Sequence, residues 1–524
     1  MPRGTEKPGG GTAHPPKLPA EGVVGVLAGD VPLPEALREL SDLAKCGLAG
    51  VEIRADLFPT PEDAIASLPW IPPNLPAVFT LRAASQGGKF RGDEGDRIRI
   101  YRAALAAGAA WVDAEWGSEA AREAAREHLP LVVSHHDFSG TPRVQDLEEI
   151  AQSMAAIGSL AIKVVPTAHN LACAIEMLRW LEARRAGTPR RIGFAMGGAG
   201  FLTRVLALSW GSPLTYASVG RTVAPGQVAV RELLEVYRPH RRTRSTRIFG
   251  VVGNPVHHSL SPHIHNPALA SRGLDALYLP LQAQNLDEVL EALHILPIDG
   301  LSITIPFKED AFRSAGVLDE RSRTAGATNT WKITRGPAGQ ISVQGFNTDV
   351  DGVLVPLTRR LDRLTGVSAA VLGNGGAARG AVRALIEGGA TPTLYFRNSE
   401  RGSAVADGLG IRGRHLDALK PALERREHRI VINATSLGLK PADPSPVESG
   451  ALSRGILAFE MIYEPAETRF LAEARAAGCE CIPGGEMLVA QAVGQFKIFT
   501  GLDADYDELE GNFQRGLAIR HAMV

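Results

Sequence analysis

The stretch RPHRRTRSTR, residues 238–247, separates two long segments of the sequence that have different patterns. Before it, short apolar runs each end in a charged residue, and after it the sequence continues as IFGVVGNPVHHSLSP, residues 248–262. A chain of 524 residues is too long for one ordinary core. The stretch itself has five arginines and one proline among ten residues. We therefore predict a short, solvated linker over residues 238–247.

The charge of the chain is nearly balanced. There are 56 lysines and arginines against 57 aspartates and glutamates, for a formal net charge of −1. This balance gives no electrostatic reason for a nucleic-acid or membrane partner. The four cysteines, Cys46, Cys173, Cys479 and Cys481, contain one C-x-C pair and no second pair to complete a metal site. We expect reduced thiols, no metal and small-molecule substrates.

The N-terminal residues 1–21 are rich in glycine and proline and contain no apolar segment. Such a composition buries too little surface to offset the entropy of ordering, so we predict a disordered tail. A secretory signal would need an apolar stretch of about 7–15 residues, which this tail lacks. No run of about 18 apolar residues follows later. These observations favour a cytoplasmic protein, and the oligomeric state stays open.

Eight short apolar runs lie between residues 22 and 237. They have the length of strands, and the segments between them carry apolar residues at helical spacing. The runs are residues 23–29, 50–57, 77–82, 111–116, 131–137, 160–167, 191–197 and 214–218. Because the units recur at near-even intervals without a glycine-rich phosphate turn, they fit a closed (β/α)8 barrel better than an open sheet. We predict a TIM barrel over residues 22–237.

Polar residues gather at the ends of these runs, where a barrel places its chemistry. They are Glu52, Arg54, Asp56, Arg82, Asp113, Glu115, His136, Asp137 and Lys163. For any one of them, the alternative is that charges simply begin where a strand reaches the surface. Lys163 is harder to explain in that way, because it lies inside the apolar run LAIKVVP, residues 160–166. A buried ammonium must be paired or have a lowered pKa, and a lysine kept neutral is a Schiff-base nucleophile.

Four motifs in this segment resemble type I 3-dehydroquinate dehydratase: EIRAD, SHHDFSGTP, LAIKVVP and APGQ, at residues 52–56, 134–142, 160–166 and 224–227. The resemblance implies that Lys163 forms an imine with a substrate ketone. His136 would move the neighbouring proton, and Glu52 would orient His136. The resemblance also implies that the ring hydroxyls and the carboxylate of the substrate are held by Arg54, Arg82, Arg204 and Gln227.

Three motifs after the linker place a hydroxyl, amide or charged group at a strand end or turn. They are GLSITIPFKED, GATNTW and GFNTDVDG, at residues 300–310, 326–331 and 345–352. Taken alone, Ser259 and Ser261 of the SLS triplet fit helix caps, and Lys308 fits an exposed lysine after a proline turn. The motifs together instead indicate a polar binding site.

The stretch AAVLGNGGAARGAVRALIEGGA, residues 369–390, is typical of a buried strand, a glycine-rich turn and a helix. Gly373 and Gly375 begin the spacing G-x-G-x-x-[GA], which places a pyrophosphate at a helix N-terminus. After the next strand, Arg397 and Arg401 in RNSER suit the 2′-phosphate of NADP. The alternative is a solvated basic turn. We predict an NADP-binding Rossmann domain.

Together with RIVINATSLGL, MIYEPAETRF and GGEMLVAQAVGQF, at residues 429–439, 461–470 and 484–496, these motifs resemble shikimate dehydrogenase. The resemblance implies that Lys308 and Asp349 are the catalytic pair. It implies that the hydroxylated ring and its carboxylate are bound by Ser259, Ser261, Thr304, Asn329, Tyr463 and Gln491. It places the cofactor against Gly373, Asn374, Gly375, Gly376, Ala377, Arg397, Arg401 and Thr435. We predict a substrate-binding domain over residues 248–355, a Rossmann domain over 356–483 and returning C-terminal helices over 484–524.

The two resemblances predict a bifunctional α/β enzyme. The barrel would dehydrate 3-dehydroquinate to 3-dehydroshikimate, and the second segment would reduce that product to shikimate with NADPH. Two alternatives stay open. A non-catalytic sensor of quinate or shikimate is suggested by two departures from the dehydratase pattern, Gln86 and Val223, although the neighbouring Thr222 could replace the latter. The other alternative is a dehydrogenase that prefers quinate.

Overall fold

The structure, a computed structural model, describes residues 21–183, 189–220, 227–257 and 259–521. Apart from Glu21, the predicted disordered tail lies outside the described residues, and so do Thr222 and Val223. Apart from Asn170–Ala172, which are grouped with the second unit, the chain divides into two compact units between Arg244 and Ser245. Within the described ranges, no helix combines the length and the apolar character needed to cross a membrane.

The first unit is built from parallel strands, each followed by a helix. The strands are β1 Gly22–Leu27, β2 Leu48–Arg54, β3 Ala77–Thr80, β4 Trp111–Glu115, β5 Leu131–Asp137, β6 Ala161–Pro166, β7 Arg190–Gly193 and β8 Leu214–Val219. The helices are α1 Leu33–Lys45, α2 Pro61–Ser67, α3 Glu94–Ala106, α4 Glu119–Arg126, α5 Val144–Ala155, α6 Leu171–Glu182, α7 Phe201–Leu206 and α8 Val230–Glu232.

The eight strands form a nearly closed barrel. Their order is β7-β6-β5-β4-β3-β2-β1-β8, and parallel hydrogen-bond ladders join the neighbours in this order. Near the seam, the backbone N–H of Gly193 on β7 donates to Ser212 Oγ at 3.2 Å, just before β8 begins. The predicted barrel is therefore confirmed, with strand ends shifted by at most four residues from the predicted runs.

Branched aliphatic side chains explain why the strands are buried on both faces. Val24 and Val26 on β1, Val132 on β5 and Ile192 on β7 belong to one cluster and are at most 2% exposed. Burying one such side chain contributes about 1.5–3 kcal/mol. The parallel strands consequently read as nearly continuous apolar runs, and a polar side chain within them marks the place where the chemistry can occur.

The predicted linker is packed over part of its length. The Arg244 guanidinium carbon lies 3.4 Å from the centre of the Trp210 ring, and its Nη2 is 2.6 Å from Glu182 Oε1. The His240 ring fills the space above Gly47, which has a φ of 104° and no room for a side chain there. Arg241, Thr243, Arg244, Ser245 and Arg247 are nevertheless exposed, as expected of a solvated linker. Guanidinium and imidazole groups can pack on rings and backbone while part of the side chain stays in water.

The second unit begins with a mixed sheet of six strands in the order β10-β9-β11-β13-β14-β12. The strands are β9 Arg247–Gly253, β10 Ala276–Gln282, β11 Ile298–Ile303, β12 Val317–Leu318, β13 Thr330–Arg335 and β14 Ile341–Phe346. The helices are α9 Ser261–Ser271, α10 Leu286–Ala292, α11 Lys308–Ser314, α12 Glu320–Ala325 and α13 Asp349–Thr358. The central strand β13 runs antiparallel to both of its neighbours.

A parallel sheet of six strands follows, in the order β17-β16-β15-β18-β19-β20. Its strands are β15 Ser368–Leu372, β16 Thr391–Phe396, β17 Arg412–His415, β18 Ile430–Asn433, β19 Leu457–Glu460 and β20 Glu480–Ile482. Its helices are α14 Gly376–Glu387, α15 Ser399–Gly408, α16 Leu419–Glu424 and α17 Arg469–Ala476. Counted from β15, this is the 3-2-1-4-5-6 order of dinucleotide-binding sheets, which bind ligands where the order reverses, between β15 and β18.

Two last helices, α18 Gly484–Thr500 and α19 Tyr506–His521, pack against the first sheet of this unit. The rings of Phe249 on β9 and Phe499 on α18 stack at 5.2 Å between centres. Helix α18 ends at Gly501, whose φ of 77° suits a glycine after a helix. These helices place Gln491 and Gln495 beneath the polar motifs of the sheet.

Candidate active sites

Lys163 lies in the barrel on β6 and is only 3% exposed. Its Nζ lies 3.0 Å from Glu52 Oε1 on β2 and 3.3 Å from Asp113 Oδ2 on β4. The Tyr216 ring on β8 approaches within 4.0 Å of Nζ, measured to the ring centre. A buried ammonium is costly unless it is paired. The sequence required that a buried Lys163 be either paired or lowered in pKa, and the structure shows that it is paired.

Glu52 is hydrogen-bonded to Lys163 and not to His136. Its Oε1 accepts hydrogen bonds from Thr80 Oγ1 at 2.9 Å and from Lys163 Nζ. In the described part of the chain, no hydrogen bond joins Glu52 to the imidazole of His136. The expected orientation of His136 by Glu52 is not seen: Oε1 accepts from Lys163 and Thr80, and Oε2 accepts no hydrogen bond from any described residue.

His136, the predicted base, stands near the end of β5. Its backbone N–H donates to Gln86 Oε1 at 3.2 Å, and its buried Nδ1 has no hydrogen-bond partner. Burial lowers the pKa of the imidazole well below its usual value, and the nearby cations Arg82 and Lys163 lower it further. The imidazole is consequently neutral at neutral pH, which is the form that accepts a proton.

Two of the predicted substrate arginines are bound to protein carboxylates. Arg54 forms two 3.0 Å hydrogen bonds with Asp56. Arg82 donates to Asp113 Oδ1 at 2.9 Å and to Ser134 Oγ at 2.6 Å. Burial would lower the pKa of Arg82, but Asp113 and the other nearby carboxylates raise it overall. Arg82 is thus permanently charged and fixed in place.

Arg204 on α7 differs from these two arginines. It is 2% exposed, and no carboxylate in the described ranges pairs with it. One hydrogen bond, from Nη1 to the carbonyl of Tyr216 at 3.3 Å, and the face of the Phe194 ring are its contacts. Burial lowers the pKa of Arg204 to about 10. A desolvated cation without a counter-ion is suited to bind an anionic group of a ligand. The fourth predicted residue, Gln227, follows the undescribed residues 221–226 and is partly buried.

Sequence reasoning did not assign roles to Asp113 and Ser134, which the structure brings to Lys163 and Arg82. A signal for Asp113 was present. In WVDAE, residues 111–115, Asp113 and Glu115 are two residues apart and so share one face of a strand. That face is the one that carries the charged network, since Glu115 is bonded to Arg97 and to the backbone of Ala83.

The second polar site joins Lys308 at the start of α11 to Asp349 at the start of α13. Lys308 Nζ is hydrogen-bonded to Asp349 Oδ2, and Asn329 Nδ2 donates to Asp349 Oδ1 at 2.8 Å. Asp349 is 2% exposed, whereas the Lys308 side chain is 13% exposed. The carboxylate therefore has both oxygens engaged and holds the ammonium at the edge of a cleft.

Behind this pair runs a buried chain of polar groups that sequence reasoning missed. Thr330 Oγ1 donates to Asn329 Oδ1 at 2.8 Å, and Gln495 Nε2 on α18 donates to Thr330 Oγ1 at 3.1 Å. Gln495 Oε1 in turn accepts from Ser302 Oγ at 2.7 Å. Gln491, which was predicted, lies one turn earlier, and its side chain donates to Leu488 O at 2.7 Å. The spacing of four residues between the two glutamines was the available signal.

The other predicted ring-binding residues border the same region. The hydroxyl of Tyr463 is hydrogen-bonded to Ser259, and the backbone N–H of Ser261 donates to Ser259 Oγ at 3.2 Å. Thr304 follows β11 directly, with its N–H bonded to the carbonyl of Val252 at 2.9 Å.

The predicted dinucleotide turn lies where the order of the parallel sheet reverses. Gly373 follows β15 with a φ of 113°, and a side chain there would come within 2.8 Å of the Ala434 carbonyl. Thr435, after β18, is fixed by a 2.7 Å hydrogen bond from its hydroxyl to Asn433 Oδ1. The turn residues Gly373, Asn374, Gly375, Gly376 and Ala377 are all partly exposed, and a side chain at Gly375 would meet open space.

The tip of β16 presents the two predicted arginines. Arg397 is exposed and has no carboxylate partner among the described residues, while Arg401 Nη2 lies 3.1 Å from Glu309 Oε1. A helix N-terminus beside open space, with a free guanidinium at the second strand, fits a dinucleotide that carries a 2′-phosphate. In this arrangement Arg397 is available to such a group, and Arg401 would have to leave Glu309.

Two glycines bring helix α14 onto the Lys308–Asp349 pair. A side chain at Gly376 would come within 2.7 Å of Lys308 Cβ, and one at Gly380 within 2.9 Å of Asp349 Cβ. Only glycine permits such an approach of helix backbone to both residues. The start of the predicted cofactor helix therefore packs directly against the predicted catalytic pair.

Comparison with known proteins agrees with this division. Residues 31–243 match type I 3-dehydroquinase, residues 251–331 the shikimate dehydrogenase substrate binding domain, and residues 484–510 the shikimate 5′-dehydrogenase C-terminal domain. A shikimate dehydrogenase (NADP(+)) of Syntrophobacter fumaroxidans is 39% identical over 253 residues, which are 48% of this chain and 86% of that protein. A solved structure of dehydroquinate dehydratase and shikimate dehydrogenase from S. pombe is 26% identical, with a TM-score of 0.43, and covers 94% of this chain and 98% of that one.

A relative that aligns with most of this chain carries the assignment. The bifunctional 3-dehydroquinate dehydratase/shikimate dehydrogenase, chloroplastic, of Arabidopsis thaliana is 31% identical over 492 residues. The aligned part covers 89% of this chain and 80% of the plant protein. The chain therefore belongs to the family of bifunctional 3-dehydroquinate dehydratase/shikimate dehydrogenases.

Proposed function

We propose that the barrel dehydrates 3-dehydroquinate through an imine at Lys163. The observation that carries the proposal is a lysine buried in the barrel next to a neutral histidine, with a buried Arg204 that no described carboxylate pairs with. The amine nitrogen would bond to the ketone carbon of the substrate, and the ketone oxygen would leave as water. The protonated imine then acidifies the adjacent carbon.

His136 is proposed to act on that acidified carbon. Its neutral imidazole would take the proton and return it to the hydroxyl group that departs as a second water. Arg204 is proposed to bind the substrate carboxylate, because it carries a positive charge and has no counter-ion among the described residues. Arg54, Arg82 and Gln227 remain predicted contacts of the ring hydroxyls, and hydrolysis of the imine would return the free amine.

Borohydride trapping tests this half of the proposal. Reduction of the intact chain with borohydride during turnover should give one adduct, located by peptide mass spectrometry at Lys163. The matched control is Lys332→Gln, which removes a lysine of the second unit and should leave the adduct unchanged. Absence of an adduct at Lys163 in an active preparation would reject the imine mechanism.

We further propose that the second unit reduces 3-dehydroshikimate to shikimate with NADPH. The supporting observation is Lys308, held by Asp349 and Asn329, beside the start of helix α14. When bound, the cofactor supplies a hydride. The chain's own part is to place the Lys308 ammonium where negative charge develops on the ketone oxygen and to provide the proton for it.

The substrate and the cofactor are proposed to occupy the two ends of this cleft. Ser259, Ser261 and Tyr463 would bind the substrate carboxylate, with Thr304, Asn329 and Gln491 near the ring hydroxyls. The turn from Gly373 to Ala377 would hold the pyrophosphate, with Thr435 beside it, and Arg397 would bind the 2′-phosphate. The reaction as proposed needs no metal. The predicted domain boundaries and the cytoplasmic location stay proposals from the sequence.

Asp349→Asn tests the second half. We expect the rate of NADPH oxidation with 3-dehydroshikimate to fall by about 100-fold, because the ammonium loses its charged anchor. The dehydratase activity of the same preparation serves as the control for folding. A variant with unchanged reductase rate would reject the role of the pair. Family membership favours this bifunctional enzyme over the sensor and over the quinate-preferring dehydrogenase.

A further inference from the structure

Asp113 touches the atom at which the proposed imine forms. Its Oδ2 lies 3.3 Å from Lys163 Nζ, and its side chain has no solvent exposure. The other oxygen, Oδ1, accepts hydrogen bonds from Arg82 Nη2 at 2.9 Å and Ser134 Oγ at 2.6 Å. One oxygen of the carboxylate is thus anchored by a cation and a hydroxyl, and the second is directed at the lysine.

The carboxylate remains charged at this buried position. Burial would raise the pKa of Asp113, but Arg82, Lys163 and the hydrogen bond from Ser134 hold it well below its usual range. Proton uptake by Asp113 is therefore not part of the reaction. Five charged or titratable groups face Lys163 Nζ or lie close to it, each from a different part of the barrel. They are Glu52, Arg82, Asp113, His136 and Tyr216.

The two carboxylates at Nζ are not equivalent. Glu52 uses Oε1 for both Lys163 and Thr80, and its Oε2 accepts no hydrogen bond from any described residue. That free oxygen allows Glu52 to turn toward a ligand. Asp113 has no such freedom, because Arg82 and Ser134 fix its second oxygen. When a substrate enters, Asp113 is the anion whose position beside the nitrogen is maintained.

We propose that Asp113 is a catalytic residue of the dehydratase, the counter-ion of the protonated imine nitrogen. The inference rests on the proposed imine at Lys163. In the step concerned, the lysine nitrogen bonds to the ketone carbon and the carbonyl oxygen leaves as water. The nitrogen keeps one proton and a positive charge. Asp113 neither gives nor takes a proton, and its negative charge stabilises the cation that draws electrons from the adjacent carbon.

The test is Asp113→Asn in the full-length chain, which preserves size and removes the charge. We expect kcat for dehydration to fall by about 100-fold or more. As the pH is raised, the yield of the borohydride adduct at Lys163 should begin to fall at a lower pH than in the unaltered chain. Borohydride reduces the protonated imine, and without its counter-ion the imine loses that proton at a lower pH. Reductase activity of the same preparation should stay unchanged.

Glu115→Gln is the matched control. Glu115 lies on the same strand, is 4% exposed and belongs to the same network through Arg97, but it does not contact Lys163. A variant that only loosens the network should lower stability without moving the pH at which trapping declines. If Glu115→Gln moves that pH as far as Asp113→Asn does, the proposed specific role of Asp113 is overturned.

Ser134→Ala keeps the inference testable if the charge change prevents folding. It removes one hydrogen bond to Asp113 Oδ1, so kcat should fall by about fivefold, and the decline in trapping should move in the same direction. An unchanged kcat and pH profile in either Asp113→Asn or Ser134→Ala would overturn the inference. Failure of the imine proposal itself would look different, since the unaltered chain would then give no adduct at Lys163.

Discussion

The two units each place a lysine beside an aspartate, yet the surroundings of the two lysines differ. Lys163 is 3% exposed, and its nitrogen lies between two carboxylates from different strands. The side chain of Lys308 is 13% exposed and, within the described ranges, has one carboxylate partner. A lysine that becomes part of a covalent intermediate needs a fixed, water-poor position. A lysine that stabilises a developing charge needs only to reach the substrate oxygen.

This difference follows from the cost of burying charge. Removing an ammonium from water costs several kcal/mol unless partners replace the hydration. The barrel meets that cost at Lys163 with Glu52, Asp113 and the face of the Tyr216 ring. Lys308 remains at a cleft edge, so Asp349 alone suffices, and helix α14 closes over it through Gly376. The comparison predicts that the two lysines respond differently to the same substitution.

The largest effect should come from replacing each lysine by arginine. Lys163→Arg should lower dehydratase kcat by about 10⁴-fold or more, because a guanidinium does not form an imine. Lys308→Arg keeps the positive charge but lacks a readily transferred proton, so reductase kcat should fall by about 100-fold. Steady-state rates of both reactions on each variant measure the contrast. Equal losses at the two positions would show that both lysines work by the same means.

A smaller effect should appear at the two arginines after β16. Arg397→Ala should raise the KM for NADPH by about 10- to 100-fold and leave the KM for NADH nearly unchanged, because only NADPH carries the 2′-phosphate. Arg401→Ala should raise it by about threefold, since Arg401 must first leave Glu309. The dehydratase site offers the control, because its rate involves no nucleotide. A larger rise in the KM for NADPH in Arg401→Ala than in Arg397→Ala would contradict the proposal that Arg397 is the main contact of the 2′-phosphate.

The smallest effect concerns a buried histidine in each unit. Burial lowers the pKa of His136 well below its usual value, and lowers that of His265, which stacks on Tyr278 at 4.4 Å, to about 3. In the barrel this keeps the imidazole of His136 neutral. In the second unit, the low pKa of His265 makes folding sensitive to acid, because the imidazole takes up a proton in the unfolded chain at a higher pH than in the folded chain. Below about pH 6.5 the free energy of unfolding should therefore fall by about 1.4 kcal/mol per pH unit.

Replacing His265→Phe should retain the stacking and remove this sensitivity. Between pH 7 and pH 5, urea unfolding should show that the unaltered chain loses about 2 kcal/mol more than the variant. The comparison uses the same chain at both pH values, so differences in packing between the two side chains cancel. If the free energy of unfolding falls by the same amount in both chains between pH 7 and pH 5, His265 is not the cause of the acid sensitivity.

Sequence patterns were sufficient for the architecture because the strands are apolar runs separated by helices and turns. Lys163 could be identified because it interrupts such a run, and Gly373 because its turn sits between a strand and a helix. The packed part of the linker was not predictable, since arginine-rich sequence indicates solvent contact until an aromatic partner such as Trp210 is known. Side chains that stack on a surface leave no periodic pattern.

Contacts between distant residues explain what else the sequence could not give. Glu52 and Lys163 are 111 residues apart, and Ser302 and Gln495 are 193 apart. The partner of each carboxylate is decided by strand register and helix packing. For this reason Glu52 could be placed at the barrel mouth from the sequence, while its contact with Lys163 instead of His136 required the structure.

The central claim is that one chain carries out both reactions in sequence, and a coupled assay tests it most directly. The intact chain is given 3-dehydroquinate and NADPH, NADPH loss is followed, and the product is identified. We predict a lag, then steady NADPH loss with shikimate as product. The Lys163→Arg variant should show no NADPH loss with 3-dehydroquinate. With 3-dehydroshikimate it should oxidise NADPH at the normal rate. NADPH loss by Lys163→Arg on 3-dehydroquinate, with quinate as product, would contradict the account.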